Sequence, residues 1–295
     1  MNISVSGVLK LAEIGRREEE SSSPEDFLES VGRANDLLPD GPHETASITL
    51  ESRLVAWSSP QSLAADRFRL LRIQLQKLQV AARVKTLLVT SPTAEDGKST
   101  VVLNLATALA NRGNQRVLVV EADLRCPRLV ERLGLKRWSG LTDLLRDGSN
   151  AVSAVRRIDP FAFYLLPAGG SAESPTELLQ SEHFAGLLRA LYPCFDWILV
   201  DSPPTGPIAD VMVLRQHADG ALLVVRSGST PREAVSEAMG QLGTGFVQAI
   251  VLNALEGMEA GYGGYYGKYY GYPSRSIAVS AITTPSESVP EYKQR

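Results

Sequence analysis

Cysteine, histidine and surplus charge are all scarce in this chain of 295 residues. Its two cysteines, Cys126 and Cys194, cannot build a disulfide framework and suit a reducing compartment. With 30 Lys+Arg against 33 Asp+Glu the net charge is only -3. A general nucleic-acid binder needs a basic surplus to displace counterions, so nucleic acid is not an expected partner. Of the three histidines, His183 and His217 stand without neighbouring ligands, which argues against a histidine metal site. No apolar run approaches the ~20 residues of a membrane span. The first residues lack a basic stretch followed by an apolar one, so no secretory leader is expected and the expected compartment is the cytoplasm.

What is present is an ordinary globular composition, 44% hydrophobic and 21% charged. Three regions are expected. Residues 1–52 read as a polar, flexible arm, because Arg17 to Phe27 is acidic and rich in Ser. Residues 53–255 read as one domain, and residues 256–295 as a flexible tail. Within the domain, short Val/Leu-rich runs alternate with helical segments. The expected strands are Thr86–Thr90, Val117–Glu121, Phe163–Leu166, Trp197–Asp201, Ala221–Arg226 and Gln248–Leu252. Runs with so few charges fit strands covered on both faces, so the fold class is α/β, a doubly wound and mostly parallel sheet. A helix is expected from Ser59-Pro60 through Leu75, with Leu63, Phe68, Leu71 and Leu75 as its apolar stripe.

The chemistry concentrates at three strand ends. Thr86 to Thr100 reads as a strand, a loop and Gly97-Lys98-Ser99-Thr100, and a helix over Val101–Arg112 is expected to follow. This is a P-loop pattern: the backbone N–H groups of Asp96 to Thr100 cradle phosphates, Lys98 reaches the outer ones and the Ser99 hydroxyl ligates Mg²⁺. The strand over 117–121 ends on Glu121, with Asp123 two residues on and directed alike. The strand over 197–201 ends on Asp201, where a carboxylate holds Mg²⁺ through water. All three lie at the carboxyl edge of the expected sheet, where open α/β proteins bind ligands. Beyond the domain, residues 261–272 carry six tyrosines, Tyr262, Tyr265, Tyr266, Tyr269, Tyr270 and Tyr272, among five glycines.

Together, Ser91-Pro92 with Gly97 to Thr100, Glu121-Ala-Asp123-Leu-Arg125-Cys-Pro127, Asp201-Ser-Pro-Pro204 and the tyrosine-rich tail resemble bacterial tyrosine kinases of capsule and exopolysaccharide synthesis. Gly140-Leu-Thr-Asp-Leu-Leu145, Leu166-Pro-Ala-Gly169, Ser174-Pro-Thr-Glu-Leu-Leu179 and Ile208-Ala-Asp210 extend the resemblance, which runs from about Pro60 to Tyr272. That family is similar to Walker-type cell-division and plasmid-partition ATPases. The resemblance implies an ATP- and Mg²⁺-dependent kinase that phosphorylates its own tyrosine cluster between subunits. Lys98 and Ser99 would hold phosphates and metal, Asp123 and Asp201 would hold Mg²⁺, and Glu121 would accept the tyrosine proton. Asn253 would contact the adenine.

Asp66, Arg69 and Arg72 read locally as a solvated face with an Asp–Arg pair, but stand where the family carries a Glu-x-x-Arg-x-x-Arg subunit contact. A ring-like homo-oligomer, a membrane-bound chain-length-determinant (polysaccharide co-polymerase) activator that recruits the kinase to the inner face of the membrane, and a tyrosine phosphatase are the implied partners. Three positions depart from the pattern: Pro92 and Glu95 stand where glycine is usual, and Glu121 where aspartate is usual. Returning Glu121 to aspartate is expected to keep or raise the activity. The competing expectation is a nucleotide-switched positioning ATPase, or an ATP-binding scaffold without kinase chemistry.

Overall fold

The computed structural model describes residues 42–47, 52–110, 115–147, 154–206, 209–255 and 278–280. The six clustered tyrosines lie outside them, as does most of the expected arm. The described strands are β1 (His43–Thr45), β2 (Thr86–Thr90), β3 (Val117–Glu121), β4 (Arg156–Asp159), β5 (Phe163–Leu166), β6 (Trp197–Asp201), β7 (Gly220–Arg226), β8 (Val247–Leu255) and β9 (Ala278–Ser280). They form one sheet in the order β1-β4-β5-β3-β6-β2-β7-β8-β9. Pairing is parallel except for β4 with β5 and β8 with β9.

Residues of β2, β3, β6 and β7 alternate strictly between the two faces of the sheet. Leu87, Val89, Val117, Val119, Trp197 and Leu199 join one core, and Leu88, Leu118, Val120, Ile198 and Val200 join the other. The first core is roofed by α1 (Val55–Ser58), α2 (Leu63–Ala82), α3 (Lys98–Ala110) and α4 (Leu129–Arg132). The second is roofed by α5 (Leu141–Asp147), α6 (Pro175–Gln180), α7 (Glu182–Leu191), α8 (Asp210–Arg215) and α9 (Arg232–Leu242). This is the doubly wound architecture expected from the sequence, and burial on both faces is why its strands read as unbroken apolar runs. Among the described residues no helix is long and apolar enough to cross a membrane.

Two helices differ from expectation. α2 starts at Leu63, not at Ser59-Pro60, because the Ser62 hydroxyl caps it by accepting from the Ala65 N–H at 3.2 Å. It runs on to Ala82, and Arg83 ends it in the left-handed conformation. α3 starts at Lys98 rather than Val101, since Val101 N–H already donates to Gly97 O at 3.0 Å. Strands β1 and β4 carry no apolar run and were not expected; residues 43–45 of the polar N-terminal region pair in parallel with β4. Strand β9 was not expected either; residues 278–280, within the region read as a tail, pair antiparallel with β8.

Candidate nucleotide site

β6 lies between β2 and β3, so Asp201 stands beside Val89 on one side and Glu121 on the other. The loop after β2 therefore opens directly over two carboxylates. Its backbone is fixed from within and from the far side. Asp96, buried, accepts from the Thr93 N–H at 2.9 Å and from the Thr230 hydroxyl at 2.7 Å. The Asn253 amide donates to the Asp96 carbonyl at 2.8 Å, and the Arg226 guanidinium to the Glu95 carbonyl at 3.2 Å. Gly97 has φ +97°, and a β-carbon there would come within 2.0 Å of the Asn253 amide nitrogen, so only glycine fits. Glu95 takes a left-handed φ of 66° without being glycine. Pro92 is not among the residues of positive φ, so the position needs no glycine.

The carboxylates at the two strand ends are both buried, Glu121 at 1% exposure and Asp201 at 2%, but they are differently employed. Glu121 Oε1 accepts from the Arg128 and Leu129 N–H groups, each at 2.6 Å, and Oε2 from the Ala168 N–H at 3.0 Å. Burial still pushes its carboxyl up, partly offset by those three hydrogen bonds. Asp201 Oδ2 accepts from the Ser99 hydroxyl at 3.0 Å. Its Oδ1 is buried and has no hydrogen-bond partner among the described residues. Burial pushes Asp201 to about 7, against the pull of Lys98. Asp123, half-buried, accepts from the Cys126 N–H at 3.1 Å and lies within electrostatic reach of both other carboxylates.

An orphaned carboxylate oxygen next to a P-loop serine fits a divalent cation. Mg²⁺ keeps several waters and takes one or two carboxylates plus phosphate oxygens, so it needs no closed cage. Among the described residues no three His, Cys, Asp or Glu side chains converge on a point.

The sequence reading missed the parts that hold these groups in place. Arg125 forks onto buried Asp210, Nε to Oδ2 at 2.8 Å and Nη2 to Oδ1 at 3.3 Å, and also reaches the Thr176 hydroxyl at 3.1 Å. This clasp ties the loop carrying Asp123 to the start of α8 and of α6. Arg125 and Asp210 both fall in segments that carried the family resemblance, but nothing in the spacing pairs them. Thr230 carried no signal at all. Asp66 and Arg69 form an ion pair on α2, Arg69 also donates to the Pro60 carbonyl, and Arg72 donates to the Ala108 carbonyl at 3.2 Å.

No protein-family model matches the chain. The tyrosine-protein kinase YwqD of Bacillus subtilis is 30% identical over 220 residues, covering 74% of this chain and 92% of that protein. The tyrosine-protein kinase wzc of Salmonella typhimurium is 29% identical over 228 residues; the match spans 77% of this chain but only 31% of wzc. Among solved structures, the kinase domain of the Escherichia coli tyrosine kinase ETK superposes with a TM-score of 0.64 at 26% identity, covering 70% of this chain and 78% of that one. Identity at this level along nearly the whole of YwqD, joined to a matching kinase-domain fold, shows that the chain belongs to the bacterial tyrosine-protein kinases.

Proposed function

We propose that this kinase transfers the γ-phosphoryl group of Mg·ATP to its own tyrosines Tyr262, Tyr265, Tyr266, Tyr269, Tyr270 and Tyr272, between subunits. The observation that carries the reading is the Ser99–Asp201 contact with its unpaired second oxygen, set beneath the Gly97–Thr100 turn. The N–H groups of Asp96 to Thr100 hold the phosphates, and Lys98 neutralises their outer charge. Ser99 and Asp201, with Asp123 beside them, would hold Mg²⁺. Bound there, the ion neutralises charge on the phosphate oxygens during transfer.

Glu121 takes a different part from the one its position suggested. Three backbone N–H groups occupy its carboxylate, so it has no free oxygen aimed at a substrate hydroxyl. Glu121 then positions the loop that bears half-buried Asp123, which is left to the metal. Positioning matters more than basicity here, because phosphoryl transfer has a loose transition state. Asn253 packs against the loop at Gly97 and would border the nucleotide.

Asp66, Arg69 and Arg72 lie on one helix and would engage a neighbouring copy, assembling a ring in which each tyrosine segment enters the next site. Kinship with the family extends the reading to polysaccharide synthesis and export. A membrane-bound chain-length-determinant protein would activate the kinase and recruit it, and a tyrosine phosphatase would reset it.

Intact-mass spectrometry after incubation with Mg·ATP tests the core of this. Gains of one or more phosphates, lost when all six clustered tyrosines become Phe, are expected. Release of inorganic phosphate with no gain of mass would make the chain a nucleotide-switched ATPase instead.

A further inference from the structure

Arg132 has no part in the chemistry described so far, yet its guanidinium lies against the P-loop helix. It closes α4, a single turn with no cap from its own first residue. The cap comes from Glu121, whose Oε1 gathers the Arg128 and Leu129 N–H groups. The strand-end carboxylate thus fixes a turn whose last residue reaches back to the first turn of α3. There Arg132 Nη1 donates to the Thr100 hydroxyl at 3.1 Å, one residue beyond the serine that touches Asp201. Its Nε is buried and finds no acceptor among the described residues. Burial lowers its pKa; Asp201 and Glu131 attract its charge, while Arg128 and Arg53 repel it. Among the described residues none of these three arginines makes an ion pair. Arg132 thus meets the first turn of α3 with a buried donor unused, and exposed Arg128 and Arg53 lie within electrostatic reach, an arrangement that suits a dense anion.

We infer that Arg132 is a phosphate-binding residue of the nucleotide site, held at Thr100 by the Glu121-capped turn and taking phosphoryl oxygens of a nucleoside di- or triphosphate. The inference rests on the nucleotide reading above and deepens it. Arginine suits the place because its planar fork can keep the threonine hydroxyl on one nitrogen and offer the others to phosphate.

The test is titration of the full chain with a fluorescent ADP analogue in Mg²⁺, repeated across a range of salt. Arg132→Gln keeps a donor for Thr100 and loses the charge. Its Kd should rise about 10-fold or more, with a shallower salt dependence, as expected on losing a charged hydrogen bond to phosphate. Arg132→Lys should recover part of the affinity and the wild-type salt slope. A merely structural arginine would change melting temperature and leave the salt slope alone. Wild-type affinity and slope in Arg132→Gln, with Lys98→Met weakened, would overturn the inference while leaving the nucleotide site standing. Failure of the wild-type chain to bind the analogue would bring down both.

A second measurement needs no variant. Phenylglyoxal labelling of the wild-type chain, read by peptide mass, should show Arg132 protected several-fold by Mg·ADP. Equal labelling with and without nucleotide would also overturn the assignment.

Discussion

Glu121 and Asp201 are neighbours in register, end adjacent strands and are equally buried, yet one carboxylate is saturated and the other half empty. Three backbone N–H groups converge on Glu121, whereas Asp201 has a single serine hydroxyl and a bare oxygen. Burial alone does not tell a working carboxylate from a structural one. The supply of donors does: a buried polar atom left without a partner costs free energy unless a ligand arrives to satisfy it.

Substitutions can break or sharpen that contrast. The largest effect is expected from Lys98→Met, which removes the cation that attracts Asp201 and that is proposed to meet the phosphates. Tyrosine labelling should vanish, and residual labelling within about 10-fold of wild type would mean that the site lies elsewhere. Asp201→Asn should cost about 10²-fold or more in labelling rate. It should also raise the melting temperature of the metal-free protein, because it deletes a buried, poorly solvated charge. A variant both inactive and less stable would place Asp201 with Glu121 among the structural carboxylates.

Glu121→Asp should do the reverse of what its position in the sequence suggests. The shorter acid cannot span from Ala168 to Arg128 and Leu129. A loss of about 1–3 kcal/mol in denaturant unfolding is expected as buried N–H groups lose their acceptor. Labelling should fall with it, since α4 and the Asp123 loop lose their anchor. Equal or better activity in this variant would restore Glu121 to the chemistry.

The pH dependence of the metal-free protein has a definite sign. Asp201 rises from 3.8 to about 7 on folding, so the folded state binds a proton more tightly than the unfolded one. Stability should therefore fall as pH rises between about 4 and 7, then level off, by up to about 4 kcal/mol. Glu121, also raised, adds a slope of the same sign. Thermal melts in EDTA should show a flatter profile for Asp201→Asn; an unchanged profile would remove Asp201 as its source. The smallest effect is expected on α2. Arg69→Ala, which removes a solvated pair with Asp66 and leaves the Arg72–Ala108 bond in place, should change monomer stability by about 0.5 kcal/mol or less. A fall in assembled mass by light scattering would then reveal an interface that stability does not.

The sheet was legible because parallel strands roofed on both sides must be apolar throughout, and the central strands from β2 to β8 announce themselves that way. Edge strand β1 and its neighbour β4 were not, since His43-Glu-Thr45 and Arg156-Arg-Ile-Asp159 carry the polar residues that the margin of a sheet tolerates. The P-loop and both strand-end carboxylates were legible because phosphate and Mg²⁺ demand those residue types at that spacing. Their division of labour was not. It depends on backbone N–H groups of residues 128, 129 and 168, which every sequence possesses and only a fold can aim. The Arg125–Asp210 clasp escaped for a related reason, its partners being 85 positions apart.

The bond from Asn253 to the Asp96 carbonyl has a mechanical consequence. Asn253 lies two residues before the end of β8, and the chain that carries the six tyrosines departs from that end. The phosphate-cradling turn and the root of the tyrosine segment are thus joined by one hydrogen bond of 2.8 Å. Breaking that bond, as in Asn253→Ala, should loosen the turn and the end of β8 together. The end of β8, from which the chain runs on to the tyrosines, is therefore tied to the turn proposed to hold the phosphates.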